Sequence, residues 1–449
     1  MVTYDELIEQ GIAARTRVPR SAHRVYTPDP KRDPLGILAR QHESRLPDLV
    51  PLRIERMLQD PFSFYRGTAA LQAADLATET VTGVNLCICG DAHIANFGLF
   101  ASPQRTMVFD LNDFDEAAFG PWEWDVKRFV TSVIIAAQHK GRSVKQTYAT
   151  AMHAAAAYRV DLRQMFDLSA VERYYVRADV KASDPRFHPS WQKVINQALK
   201  GAKRRTSERA IRKITRRAAD GTLTIVEDPP TLMHADVGDE REVAQIVDQY
   251  RATLPPDVSV LLSQYTATDV VRRVVGVGSV GTRCYIVVMT GARGEPLVLQ
   301  VKEATDSALT TFGVAPASLP PGTHGPTDHN GYRVVANQRI LQAVSDPFLG
   351  YIEVHEHTYY VRQFRDGNVS IDAADLEPRV FNEYVEACGT ALARAHSQSP
   401  NAAFIAGYLG DKPKFDEAVV RWGLAYARQS NEDYHALRKA SPTLHERDS

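Results

Sequence analysis

Two stretches of this chain carry residues of the types and spacing that phosphate chemistry needs: GDAHIANFG at 90–98 and VFDLNDFDE at 108–116. The first holds Asp91, His93 and Asn96; the second, one short hairpin later, holds Asp110, Asp113, Asp115 and Glu116. An aspartate can take the proton of an attacking hydroxyl, and an asparagine carbonyl with a second aspartate can share a magnesium ion that bridges phosphates. Asp91, His93 and Asn96 would also suit a simple Asx-type turn. The acids that follow weigh the set toward chemistry, with His93 orienting the loop rather than ligating metal.

The surrounding residues say how these side chains would be held. VNLCICGD at 84–91 is apolar and rich in β-formers, so it reads as a buried strand ending at Asp91. FGLF at 97–100 and TMVFDL at 106–111 read as two short strands joined by the turn ASPQR, which puts the carboxylates at strand ends facing a cleft. GPWEWDVKRFVTSVIIAAQHKG then reads as a buried helix, with Asp125 in its first turn, where a negative charge suits the helix dipole. More helix is expected to about residue 185. Upstream, residues 51–77 read as a helix, a break at Asp60-Pro61 and a second helix, with Arg66 more a packing residue than a phosphate ligand. Residues 1–50 read as an irregular arm with a short helix.

A second constellation lies far away in sequence. VVRRVVGVGSVGTRCYIVVMTG, 270–291, satisfies G-x-G-x-x-G at Gly276, Gly278 and Gly281. A dinucleotide turn requires a helix straight after the glycines, whereas Tyr285, Ile286, Val287 and Val288 follow here, so the reading is a β-hairpin covering phosphates. The next apolar strand carries Lys302, whose ammonium is costly there unless it meets an anion. The basic stretch 199–221 reads as a solvated helix, not a nucleic-acid site.

Composition sets outer bounds. The 449 residues suffice for two or three lobes, with 44% hydrophobic and 24% charged residues and a net charge of −1. That balance argues for neither nucleic acid nor membrane. No apolar run approaches about 18 residues, the length of a membrane span. Cys87, Cys89, Cys284 and Cys388 lie in apolar contexts without a CxxC pair and read as reduced core thiols of a cytoplasmic protein.

The motifs GDAHIANFG, VFDLNDFDE, GPWEWDVKR, VVGVGSVGT, LQVKEA and ALARAHS together resemble the bacterial family DUF2252, over nearly the whole chain. The family is in turn similar to protein-kinase-like enzymes such as aminoglycoside phosphotransferases and choline kinases, whose catalytic loop reads roughly HGDxHxxN. That resemblance implies Asp91 as catalytic base and Asn96 as a magnesium ligand, with Cys89 where the first histidine would stand. It implies a metal-binding aspartate at Asp110 by distance from Asn96, or at Asp113 by distance to GPWEWD. Asp125 would prop the catalytic loop through backbone hydrogen bonds. Gly276, Gly278, Gly281 and Lys302 would hold nucleotide phosphates.

The order is permuted relative to those enzymes, because the glycine loop follows the catalytic loop by about 180 positions. The expected fold is therefore α+β: a two-lobed, protein-kinase-like fold, circularly permuted, with a small β-rich nucleotide lobe and a larger, mostly helical lobe. The boundaries expected are an arm over 1–50, the large lobe over 51–260, the small lobe over 261–366 with an adenine-facing hinge near Arg362, Gln363 and Arg365, and returning helices over 367–449. No glutamate partner for Lys302 is evident, since the helix over 331–345 offers only Gln338. The functional expectation is an ATP- and Mg2+-dependent phosphotransferase acting on a hydroxyl of a small molecule. AMP transfer in the same cleft, or a nucleotide-binding scaffold without turnover, stands as the alternative.

Overall fold

A computed structural model describes residues 2–180, 189–204, 215–217, 223–234, 240–274, 276–364, 369–371, 373 and 376–441. The protein is mixed α+β. Among the described residues, no helix is long and apolar enough to cross a membrane.

The first strands form as their residue pattern directs. Strand β1 (Asn85–Ile88) precedes the loop that carries Asp91; β2 (Phe97–Ala101) and β3 (Met107–Leu111) form an antiparallel hairpin. A short β4 (Ala118–Pro121), absent from the sequence reading, pairs with β1 and runs straight into the helix Trp122–His139. That helix is buried nearly throughout. It packs against the helices Val144–Met165 and Lys414–Ala440, and Pro378–His396 lies along Val144–Met165. The chain's last helices thus return to the body built by its first half. Trp122, Phe129, Tyr158, Tyr384 and Trp422 lie in its core.

Short strands β5 (Thr215–Arg217) and β6 (Leu223–Ile225) form a separate ribbon. The larger sheet comprises β7 (Leu232–His234), β8 (Tyr265–Arg273), β9 (Cys284–Gly291), β10 (Pro296–Glu303), β11 (Gly350–Val354) and β12 (His357–Gln363), all antiparallel in the order β11-β12-β10-β9-β8-β7. A β-hairpin therefore follows the glycines, as the β-branched run after Gly281 required. β10 is a central strand with apolar side chains buried on both faces: Leu297 and Leu299 pack with Tyr250 and Leu254, while Val298 packs with Ile286 and Phe364. Lys302 is consequently no edge lysine reaching solvent; it pairs in register with Cys284 and Tyr360 and is 3% exposed.

The first fifty residues differ from the irregular arm expected of them. They hold the helices Tyr4–Arg17 and Pro34–Glu43, the first closed by a Thr3–Glu6 capping box and the second capped by Asp33. Arg15 Nε donates to Tyr408 O at 3.0 Å, which ties the first helix to the helix Ala402–Leu409. Residues 51–77 break twice rather than once, giving Val50–Met57, Pro61–Arg66 and Ala69–Leu76. Asp60 caps the middle helix by accepting from Phe62 N and Ser63 N. Most of the basic stretch 199–221, and Arg365, lie outside the described residues.

Candidate active site

The loop after β1 is held from three sides. Asp125, fully buried in the first turn of Trp122–His139, accepts from Cys89 N at 2.8 Å and from Gly90 N at 2.9 Å. Its carboxylate also lies 3.2 Å from His396 Nε2, at the end of Pro378–His396. Ser132 Oγ accepts from Ile94 N at 3.0 Å, and Tyr384 Oη donates to Ile94 O at 2.6 Å. Gly90 has φ +79°, and a Cβ there would stand 2.1 Å from Glu116 O. Only glycine lets the Asp91 loop approach the acidic loop this closely.

Asp91 and Asn96 face a cleft also lined by Asp113, Asp115, Glu116, Gly276, Gly278 and Ser279. Stretches far apart in sequence thereby share one cavity. The cavity is narrow, about 110 Å³, against about 300–1,000 Å³ for small-molecule clefts.

Asp91 Oδ1 accepts from Arg128 Nε at 2.8 Å, and His93 Nε2 lies 3.6 Å from its other oxygen. Burial pushes the Asp91 carboxyl upward, but the charges beside it prevail and hold it below the usual range. Arg128 and Arg66 are the permanent ones of these, because burial pushes His93 down to about 3 and leaves it neutral. Asn96 Nδ2 donates to Asp91 O at 2.6 Å, so its side-chain amide is fixed relative to the loop.

The acidic loop divides into distinct roles. Asp110 is 2% exposed in β3, accepts from Leu111 N and Ala343 N at 2.8 Å each, and does not line the cleft. Asp113 does line it. Its carboxyl is raised by burial and by the neighbouring Asp115 charge. Asp115 pairs with Lys302 Nζ, and Asp113 lies 4.0 Å from the same ammonium. Lys302 opposes the burial of Asp115 and keeps that carboxyl low. Asp113 and Asp115 in turn overcome the desolvation of Lys302 and raise it well above its ordinary value. Glu116 accepts from Ala308 N at 2.5 Å, and burial pushes it up to about 7.

The partner of Lys302 is therefore the second acid of DFDE, not a helix residue. Gln338 instead donates to Gln342. Glu303, on the opposite face of β10, pairs with Arg283 at 2.8 Å. Gly276 and Gly281 have φ +68° and +93° and shape the hairpin loop. Gly276 O accepts from Arg56 and Gly281 O from Leu46 N, which anchors that loop on the N-terminal helices. Gly281 does not line the cleft. At the expected hinge, Arg362 donates to Gln300 Oε1 at 3.0 Å.

Several cleft residues escape a reading of the sequence. Arg128 sits one turn after Asp125 on the same helix, so its i+3 spacing was a usable signal. Arg66, expected to pack, lines the cleft with Arg45 and Arg53. Arg45 lies in the bend after Pro34–Glu43 and Arg53 in Val50–Met57, with no motif around either. Among the described residues, no group of three or more His, Cys, Asp or Glu side chains is arranged to hold a metal ion by itself.

The arrangement defines an α+β protein in which a loop aspartate shares a cleft with an acidic loop, one of whose carboxylates pairs with a buried lysine. The chain belongs to the bacterial family DUF2252, described as an uncharacterized protein conserved in bacteria, whose sequence profile matches residues 45–440. No curated protein and no solved structure matches it.

Proposed function

We propose that the protein is an ATP-dependent phosphotransferase of permuted, protein-kinase-like architecture, transferring a phosphoryl group to a hydroxyl of a small acceptor. The observation that carries this reading is the convergence of Asp91, Asn96, Asp113 and the glycine hairpin on one cleft, with Lys302 at Asp113 and Asp115. Asp125 accepting from Cys89 N and Gly90 N supports it, because that is the propping role the kinase-like resemblance implies.

Asp113 and Asn96 fit a magnesium ion that keeps several waters and is completed by nucleotide phosphates, a site that needs only one or two carboxylates from the protein. Asp113 lines the cleft beside Asp115, and a cation there would offset the crowding of the two carboxylates. Such an ion would neutralise charge on the phosphates. Lys302 binds phosphate once Asp115 releases it, and the hairpin amides cover the same group. Asp91 orients the acceptor hydroxyl and accepts its proton. A low carboxyl pKa suits orientation more than strong base catalysis, and phosphoryl transfer depends chiefly on positioning and charge.

The two ion pairs, Lys302–Asp115 and Asp91–Arg128, favour a second reading: a nucleotide-binding protein without turnover. Incubation with ATP and magnesium separates the readings. The phosphotransferase releases ADP slowly to water, and Asp91→Asn lowers that rate at least about 100-fold. Release of AMP would point to nucleotidyl transfer, and no Asp91-dependent product would sink both catalytic forms.

A further inference from the structure

Some buried arginines in this protein meet a carboxylate, whereas others, such as Arg333 and Arg394, hydrogen-bond among the described residues only to neutral groups. Arg32 pairs with Asp75 and Asp433 at 2.6 Å, Arg128 with Asp91 and Arg159 with Asp416 at 2.8 Å. The three arginines of the cleft form no ion pair among the described residues, and they line a cavity. Arg53 is 0% exposed, yet its described partners are Gln41 Oε1 and Gly67 O at 2.8 Å and the ring of His42, all uncharged groups. Burial holds the His42 ring down at about 4, so it adds no charge of its own. Arg45 donates to Val280 O, again a neutral partner. Among the described residues, the Nε of Arg45, of Arg53 and of Arg66 has no hydrogen-bond partner. Burial holds Arg45 and Arg53 below their ordinary values even though the charge of nearby Glu116 opposes it, so an anion joining these guanidinium groups would be favourable.

We propose that Arg45, Arg53 and Arg66 form an anion subsite that grips a phosphate or carboxylate carried by the acceptor itself. The assignment to the acceptor rests on the phosphotransferase reading above; the subsite stands on the unpaired arginines. Gly276, Gly278, Asn96 and Asp113 line the same cavity, so what places the anion on the acceptor side is the position of Arg66. Arg66 is close enough to Asp91 and His93 to act on their charges, so the anion would sit beside the hydroxyl that Asp91 orients. Planar guanidinium forks bind phosphate and carboxylate oxygens two at a time, which would also fix the acceptor's orientation. The substrate class is thus a hydroxylated small molecule that already bears an acidic group.

Thermal unfolding with inorganic phosphate against sodium chloride at equal ionic strength tests this without an identified acceptor. Wild type, Arg66→Gln, Arg45→Gln and Lys302→Ala are compared, with and without saturating ATP and magnesium. The expected result is a phosphate-specific rise in Tm that persists with ATP present and is unchanged in Lys302→Ala. Arg66→Gln and Arg45→Gln, measured at their own folded baselines, need at least about tenfold more phosphate for the same rise. No phosphate-specific rise, or a rise that ATP abolishes and Lys302→Ala removes, overturns the proposal and gives the arginines to the nucleotide. A phosphate rise with no response to ATP leaves the subsite standing while the phosphotransferase reading falls.

Discussion

Replacing Asp125 with alanine removes the acceptor for two buried amides, Cys89 N and Gly90 N, at 2.8 and 2.9 Å. A buried donor left without a partner costs about 1–3 kcal/mol, so Asp125→Ala is expected to destabilise the protein by about 2–6 kcal/mol. Asparagine keeps one oxygen but turns an N–H toward one of the two amides, so Asp125→Asn should lose about 1–3 kcal/mol. Urea unfolding reads this as a lower midpoint at unchanged slope. Hydrogen exchange adds a local readout: the Cys89 and Gly90 amides should lose protection more than those of β3, which Asp125 does not touch. A midpoint for Asp125→Ala within about 0.5 kcal/mol of wild type, where ordinary surface substitutions fall, would refute the reasoning. The loop would then be held by its other contacts, through Ser132 and Tyr384.

Three further outcomes follow from the same geometry. Gly90→Ala should reduce the yield of folded protein or lower Tm sharply, because its Cβ would stand 2.1 Å from Glu116 O at φ +79°; a Tm equal to wild type would show that the two loops part without penalty. Glu123 is fully buried, accepts from Thr82 N at 2.7 Å, and is pushed up to about 7 from an ordinary 4.5. The folded state therefore holds a proton that the unfolded state releases between those values. Its contribution to stability is complete below pH 4.5 and lost as pH rises through 7, by about 3 kcal/mol. Glu123→Gln should flatten that fall, and an unchanged stability–pH curve would contradict the buried-acid account. Asp110→Asn should lower stability, through lost acceptance from Leu111 N or Ala343 N, while leaving magnesium dependence of ATP binding intact. Asp113→Asn should do the reverse, and calorimetric titration distinguishes the two.

The parts of the site legible in the sequence are those set by local pattern. The apolar run before Asp91, the β-branched residues after Gly281 and the buried helix opened by WEWD each imply an element, and each element forms. The resemblance named two metal candidates, Asp110 and Asp113; what separates them is tertiary, since Asp113 lines the cleft while Asp110 accepts from Ala343 N, a contact 233 residues away in sequence. Lys302 seemed to lack a partner because its carboxylate comes from the acidic loop of the other half, through tertiary packing that no spacing records. Arg45 and Arg53 were invisible for the same reason. Arg45 enters the cleft from the bend after Pro34–Glu43 and Arg53 from Val50–Met57, through docking that the sequence does not record.

The most direct test of the central claim, that the Asp91 loop, the acidic loop and Lys302 serve one nucleotide site, is thermal unfolding with and without ATP and magnesium. It is run on wild type, Asp113→Asn and Lys302→Ala. Ligand at about 100 times its Kd stabilises by about 2.7 kcal/mol, a readable shift. A magnesium-dependent rise in wild type that both variants lose is the predicted result. No rise at millimolar ATP, or one that both variants keep, would contradict it.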